Sequence, residues 1–143
     1  MDFLRMIQGA KFAKSIVPQS VTDTDTNGTG VDCRGFRSAC FVFHAGAIGA
    51  ADFADLHLEE SSDDSSYSTV TASDFTGYYP TQTDDNKFWL VFVDLRKYKR
   101  YLRWNADPGN AATLMTGLAI LGDALEMPNS DTERGVAKSL SAT

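Results

Sequence analysis

Three observations predict an all-β fold, a β-sandwich or jelly roll. Apolar residues alternate with period two over short segments, turn-forming clusters separate those segments, and no helix-forming stretch links them. Length and composition allow such a fold. The 143 residues suffice for one domain and fall short of two. Hydrophobic residues at 43% and charged residues at 22% give a globular balance that excludes wholesale disorder.

The chain divides into an N-terminal arm (1–12), a β domain (13–122) and a C-terminal tail (123–143). In the arm, Phe3, Leu4, Met6, Ile7 and Phe12 fall at helix-like spacings interrupted by Gly9, which predicts a short amphipathic helix or an extended arm. A helix of this length is marginal alone in water. It needs a surface, either its own domain's or a partner's.

The β domain opens with an extended segment over 14–21, confined to a sheet edge by Pro18. Residues 22–30 are turn chemistry, with Asn27-Gly28 the strongest signal. Residues 37–45 carry aromatic and aliphatic groups on both faces and read as a central strand. In 53–59, Ala54, Leu56 and Leu58 point one way and Phe53, Asp55, His57 and Glu59 the other, giving a strand with one wet face. Residues 59–66 hold four acids in eight positions and read as a solvated loop, followed by a short strand over 67–70. The stretch 74–86, with Gly77 and Pro80, is a long connection.

Residues 88–93 are the most apolar run and predict a buried strand. After a turn at 94–97, residues 100–104 alternate as a further strand, and 105–110 turn around Pro108-Gly109. Residues 113–121 end the domain, with Leu114, Thr116, Leu118 and Ile120 on one face against Met115, Gly117, Ala119 and Leu121. A helix competes there, since Ala, Leu and Met are good helix formers. Turn chemistry at both ends and strands as neighbours decide for a strand. The tail is too poor in apolar residues for a core of its own and reads as irregular, disordered or held by something else.

Charge and motifs narrow the function. The net charge of −6 is the wrong sign for neutralising phosphates, so no nucleic-acid partner is expected. No run approaches the ~20 apolar residues of a membrane span, and the start does not read as a secretory signal, so no membrane partner is expected either. Cys33 and Cys40 lack zinc spacing and read as ordinary half-buried thiols in a reducing cytosol. Asp55, His57 and Glu59 share a strand face and are the best acid/base or metal candidates. An exposed strand face produces such triplets often, and with two histidines in the chain no catalytic residue, metal or cofactor is expected. Lys97, Lys99, Arg100 and Arg103, interleaved with Tyr98, Tyr101 and Trp104, form the one basic and aromatic cluster. In an acidic chain it is expected to pair with carboxylates, those of 59–66 or a neighbour's.

The order of these pieces carries a resemblance. Val17-Pro18-Gln19-Ser20 leads into the Asn-Gly turn and Gly30-Val31-Asp32. Ala39-Cys40-Phe41-Val42-Phe43 follows, ending at Gly46. Leu56-His57-Leu58-Glu59-Glu60-Ser61 then runs into Asp63-Asp64-Ser65, with Lys99-Arg100-Tyr101-Leu102-Arg103, Gly122-Asp123 and Pro128 behind it. Over about residues 13–128 the chain resembles the jelly-roll cement, or decoration, proteins that bind the outside of tailed-bacteriophage capsids. The resemblance implies a jelly roll, often dimeric, that reinforces the shell where capsid subunits meet, without enzymatic activity or cofactor. The sequence departs from the simplest pattern in its apolar arm and in a tail that continues past Pro128.

The expectation is therefore a structural virion protein, made in the host cytoplasm and carried on the capsid exterior. Its expected partners are the major capsid protein and itself, as a homodimer or other homo-oligomer. Its expected partner-binding residues are Phe3, Leu4, Met6, Ile7, Phe12, Lys99 and Arg103. An acidic protein loses nothing on a surface that faces away from packaged DNA. The alternatives are a carbohydrate-binding jelly-roll module, with Tyr78, Tyr79, Trp89 and Trp104 as stacking platforms, and a head–tail or tail structural component.

Overall fold

The computed structural model describes residues 2–142. A short helix, α1 (Phe3–Gln8), precedes β1 (Lys11–Val21). Two short strands, β2 (Thr26–Asn27) and β3 (Val31–Asp32), lead to β4 (Phe36–Ala45). Then come β5 (Asp55–Ser61), β6 (Ser68–Thr69), β7 (Phe88–Asp94), β8 (Tyr101–Asp107) and β9 (Thr113–Ala124), and a single helical turn, α2 (Asp131–Arg134), closes the order.

The strands form two antiparallel sheets, giving an all-β sandwich. Sheet A runs β1-β9-β4-β7; sheet B runs β2-β8-β5-β6, with β3 continuing the β2 edge against β8. Among the described strands, β5 and β6 are the one pair consecutive in the chain that are also neighbours in a sheet, and the other strand partners come from more distant parts of the chain.

The core is what the alternation dictates. Ile16, Phe41, Phe43, Met115, Ala119 and Leu121 point inward from sheet A to meet Leu56, Leu58, Leu102 and Trp104 from sheet B. Trp104 is fully buried at the centre, with ring centroids 5.6 Å from Phe43 and 6.4 Å from Phe41 and Phe75. Its indole Nε1–H donates to the Leu118 carbonyl at 3.3 Å. Gly117 on β9 lies directly over this indole: a Cβ there would sit 2.6 Å from Trp104 Cδ1. The glycine inside a strand marks a close approach between the layers.

Several boundaries differ from the sequence reading. Strand β1 begins at Lys11, so Phe12 belongs to the sheet, opposite Ile120, and not to the arm. Thr26–Asn27 pairs with β8, so part of the expected 22–30 turn is sheet edge. Glu59, Glu60 and Ser61 belong to β5, β8 runs on to Asp107, and β9 to Ala124.

The tail is held by its own chain. Pro128 is buried, Arg134 Nε donates to the Gln8 carbonyl at 3.1 Å, and Gly135 caps α2 with φ 72° against β1. The largest correction concerns 88–93. Strand β7 is a sheet edge, and its alternate residues Phe88, Leu90 and Phe92 are 61%, 44% and 79% exposed.

Candidate functional site: an uncovered sheet face

Because β4, β7 and β9 carry apolar residues on both faces over much of their length, burying one set in the sandwich leaves a largely apolar set outside. The register aligns that outer set into rows. Phe12, Ile120, Cys40 and Phe92 lie side by side across β1, β9, β4 and β7; Lys14, Leu118, Val42 and Leu90 form the next row; Thr116, His44 and Phe88 the third. His44 and Phe88 stack with ring centroids 4.2 Å apart and planes 11° apart. Leu114 extends the patch and is exposed. Within these rows Lys14 is the only Lys, Arg, Asp or Glu. At about 150–250 Å² per large side chain, Phe88, Leu90, Phe92 and Leu114 alone show roughly 400 Å² of apolar surface to solvent. A patch of that size matches the largest apolar patch of a typical monomer, and such patches are often functional.

Helix α1 stands at one end of this face. Asp2 caps it by accepting from Leu4 N–H at 3.0 Å, and the helix buries none of its residues. Phe3, Leu4 and Met6 are 69%, 46% and 48% exposed, and Ile7 is half-buried. Between α1 and the sheet lies an open groove of about 1130 Å³, lined by Met6, Ile7, Cys40, Phe92, Ile120 and Met127. The groove lining mixes these apolar groups with the charged Asp2, Arg5, Arg37, Asp94, Arg96 and Asp123. Of the expected arm residues, Met6 and Ile7 line it, Phe3 and Leu4 are exposed outside that lining, and Phe12 lies in the sheet opposite Ile120.

The other expected contact residues lie elsewhere. Arg103 projects from sheet B, where it is engaged within the chain: Nε reaches Glu59 Oε2 at 2.7 Å, and its guanidinium sits 3.8 Å from the Tyr67 ring centroid. Lys99 precedes β8 in a turn rather than lying on the strand; its backbone N–H donates to Glu60 Oε2 at 2.9 Å. Of the basic cluster, Arg103 pairs with a carboxylate of 59–66 and is not displayed for a partner. Arg100 likewise grips Asp32 with both Nε and an Nη, at 2.9 and 2.8 Å, and holds its carboxyl below the usual range.

The outer face of sheet B is polar, and one buried atom on it, His57 Nε2, has no hydrogen-bond partner. Asp55 accepts from Tyr79 Oη at 3.0 Å and lies 3.0 Å from His57 Nδ1, while Glu59 is 3.6 Å from His57 Nε2. His57 is buried beneath these partners. The one O–H of Tyr79 is shared with Asp74, whose Oδ1 is nearer at 2.7 Å, and that bond above all pushes the phenol up to about 12. Among the described residues no group of three His, Cys, Asp or Glu side chains is placed to hold a metal ion.

The proposed stacking platforms do not assemble. Trp104 is core, Trp89 is half-buried with its Nε1–H on the Tyr78 carbonyl at 3.1 Å, and Tyr78 alone is widely exposed. Cys33 is buried, its thiol pushed up to about 12 by desolvation, and both cysteines are free. No helix among the described residues is long and apolar enough to cross a membrane.

The surface was half legible in advance. Apolar residues on both faces of 37–45 and 113–121 were the signal, but the sequence does not say which set the sandwich consumes. No protein-family model matches the chain, and no curated protein matches its sequence.

Proposed function

We propose that this chain is a structural virion protein that binds the outer surface of a tailed-phage capsid and reinforces contacts between major capsid protein subunits. One observation carries the proposal: the outer face of sheet A, with α1 beside it, is a broad apolar surface that the chain itself leaves uncovered. Such a surface stabilises an assembly when buried and costs solubility when left bare, which fits a protein whose working state is bound.

The strand order supports the same reading. With β2 and β3 counted as one interrupted strand, one sheet takes the first, eighth, third and sixth strands and the other the second, seventh, fourth and fifth. We read that order as a jelly roll's, an architecture of viral capsid and lectin domains. The resemblance of residues 13–128 to capsid cement proteins points the same way, as does an acidic net charge on a surface facing away from DNA. Many weak copies on one shell bind with avidity, so each contact can be modest.

The test is co-sedimentation with undecorated shells. Val42→Lys and Leu118→Lys place a charge on the half-exposed outer face without touching the core, at a cost of about 1 kcal/mol in stability. Shell binding is expected to fall by at least tenfold while the melting transition stays cooperative. Binding undiminished in both variants would refute the assignment of this face.

A further inference from the structure

Sheet edges present unpaired backbone groups, and proteins blunt those they do not use. Three of the four edges here are blunted. Strand β1 carries Pro18, two register shifts, Lys11 and Lys14, and its Ser15 carbonyl is taken by Thr29 N–H at 2.7 Å. The β2 and β3 edge is split into two-residue pieces, and β6 is two residues long. Strand β7 is different. It is seven residues of FWLVFVD in regular register with β4, with no proline, no bulge and no charge before Asp94.

The register also shows which groups are free. The Lys87 carbonyl accepts from Ala45 N–H at 3.2 Å, so the odd-numbered backbone groups of β7 face β4. In an antiparallel ladder these orientations alternate. The N–H and C=O groups of Phe88, Leu90 and Phe92 therefore point out of the sheet.

From this we infer that β7 is the edge by which two copies of the chain join, pairing antiparallel with itself across a two-fold axis at Leu90. A strand pairing with its own copy is isologous by construction. Centred on Leu90, the pairing sets Phe88 opposite the second copy's Phe92, an aromatic cross-strand pair of the kind that stabilises ladders. It also suits two chains of net charge −6. Asp94, the only acid of β7, is gripped by Arg96 Nε and Nη2 at 2.8 and 3.0 Å and falls opposite Asn86 of the second copy. The two sheets A become one continuous sheet, doubling the width of the apolar face. This goes beyond capsid docking and concerns the free protein.

Sedimentation velocity on the full chain across the micromolar range tests it. A dimer is expected. Leu90→Pro removes an outward donor and leaves the β4 ladder intact, so it is expected to give a folded monomer. Should that variant fail to fold, Leu90→Lys and Leu90→Glu decide: each alone is expected to be monomeric, and the two mixed to form a heterodimer. A monomeric native chain overturns the inference, as does a dimer that survives in Leu90→Pro or in both charge variants. Neither reading depends on shells, so a dimer that fails to bind shells would count against the capsid proposal and not against this one.

Discussion

Trp104 and Gly117 hold the two sheets at their working distance. The indole fills the centre of the sandwich, and the missing side chain of Gly117 lets β9 pass over it. A methyl group at 117 must displace a fully buried ring rather than a flexible chain end. Gly117→Ala is therefore expected to cost about 1–3 kcal/mol through overpacking, read as a lower midpoint in denaturant with the slope unchanged. An unchanged midpoint would mean that the layers have slack at their centre. Trp104 was legible only in part. The sequence places it in an alternating strand, 100–104, and among the candidate stacking platforms. Its place under a glycine thirteen residues later in the chain depends on pairing between distant strands, which no local pattern encodes.

Helix α1 and strand β7 show where element-level reading succeeds and fails. The arm's spacing leaves a short helix or an extended arm open; Phe3–Gln8 is helical, but Phe12 obeys the strand because its backbone pairs with Ile120. Helix α2 has a readable start in Ser130, which accepts from Glu133 N–H at 3.2 Å, and a readable stop in Gly135. Strand β7 reads as buried because an unbroken apolar run is the mark of a strand covered on both faces. In this chain half of those side chains, Phe88, Leu90 and Phe92, face water instead, because β7 is a sheet edge with one face outside the sandwich. Since α1 buries no residue, deleting residues 2–8 is expected to shift the melting temperature by only a few degrees and to weaken shell binding. Loss of the cooperative transition would show instead that the arm belongs to the core.

At the scale of the whole molecule, charge and apolar surface are kept apart. Most acids sit in loops or on sheet B, tied to local donors. Backbone N–H groups of Ser66 and Ser65 with the Ser61 hydroxyl hold Asp63 down to about 2, and Lys87 with Thr81 holds Asp84 down to about 2. Asp32 is lowered in the same direction by Arg100. Carboxyls whose folded values lie below the unfolded ~3.9 contribute stability that is present above about pH 4 and lost as the pH falls toward 2. Melting temperature is accordingly expected to drop between about pH 4 and pH 2, and a flat profile there would show that these bonds do not persist in solution. The composition and alternation of the sequence were enough to give the all-β class. The apolar face was not fully legible, because it arises only when four strands come into register.

The most direct measurement is a reconstruction of tailed-phage particles assembled in cells that produce this chain. The account predicts density on the outside of the shell, where capsid subunits meet, with α1 and the outer face of sheet A turned toward the shell. A particle lacking the chain, or one that contacts it through the polar face of sheet B, would contradict the account.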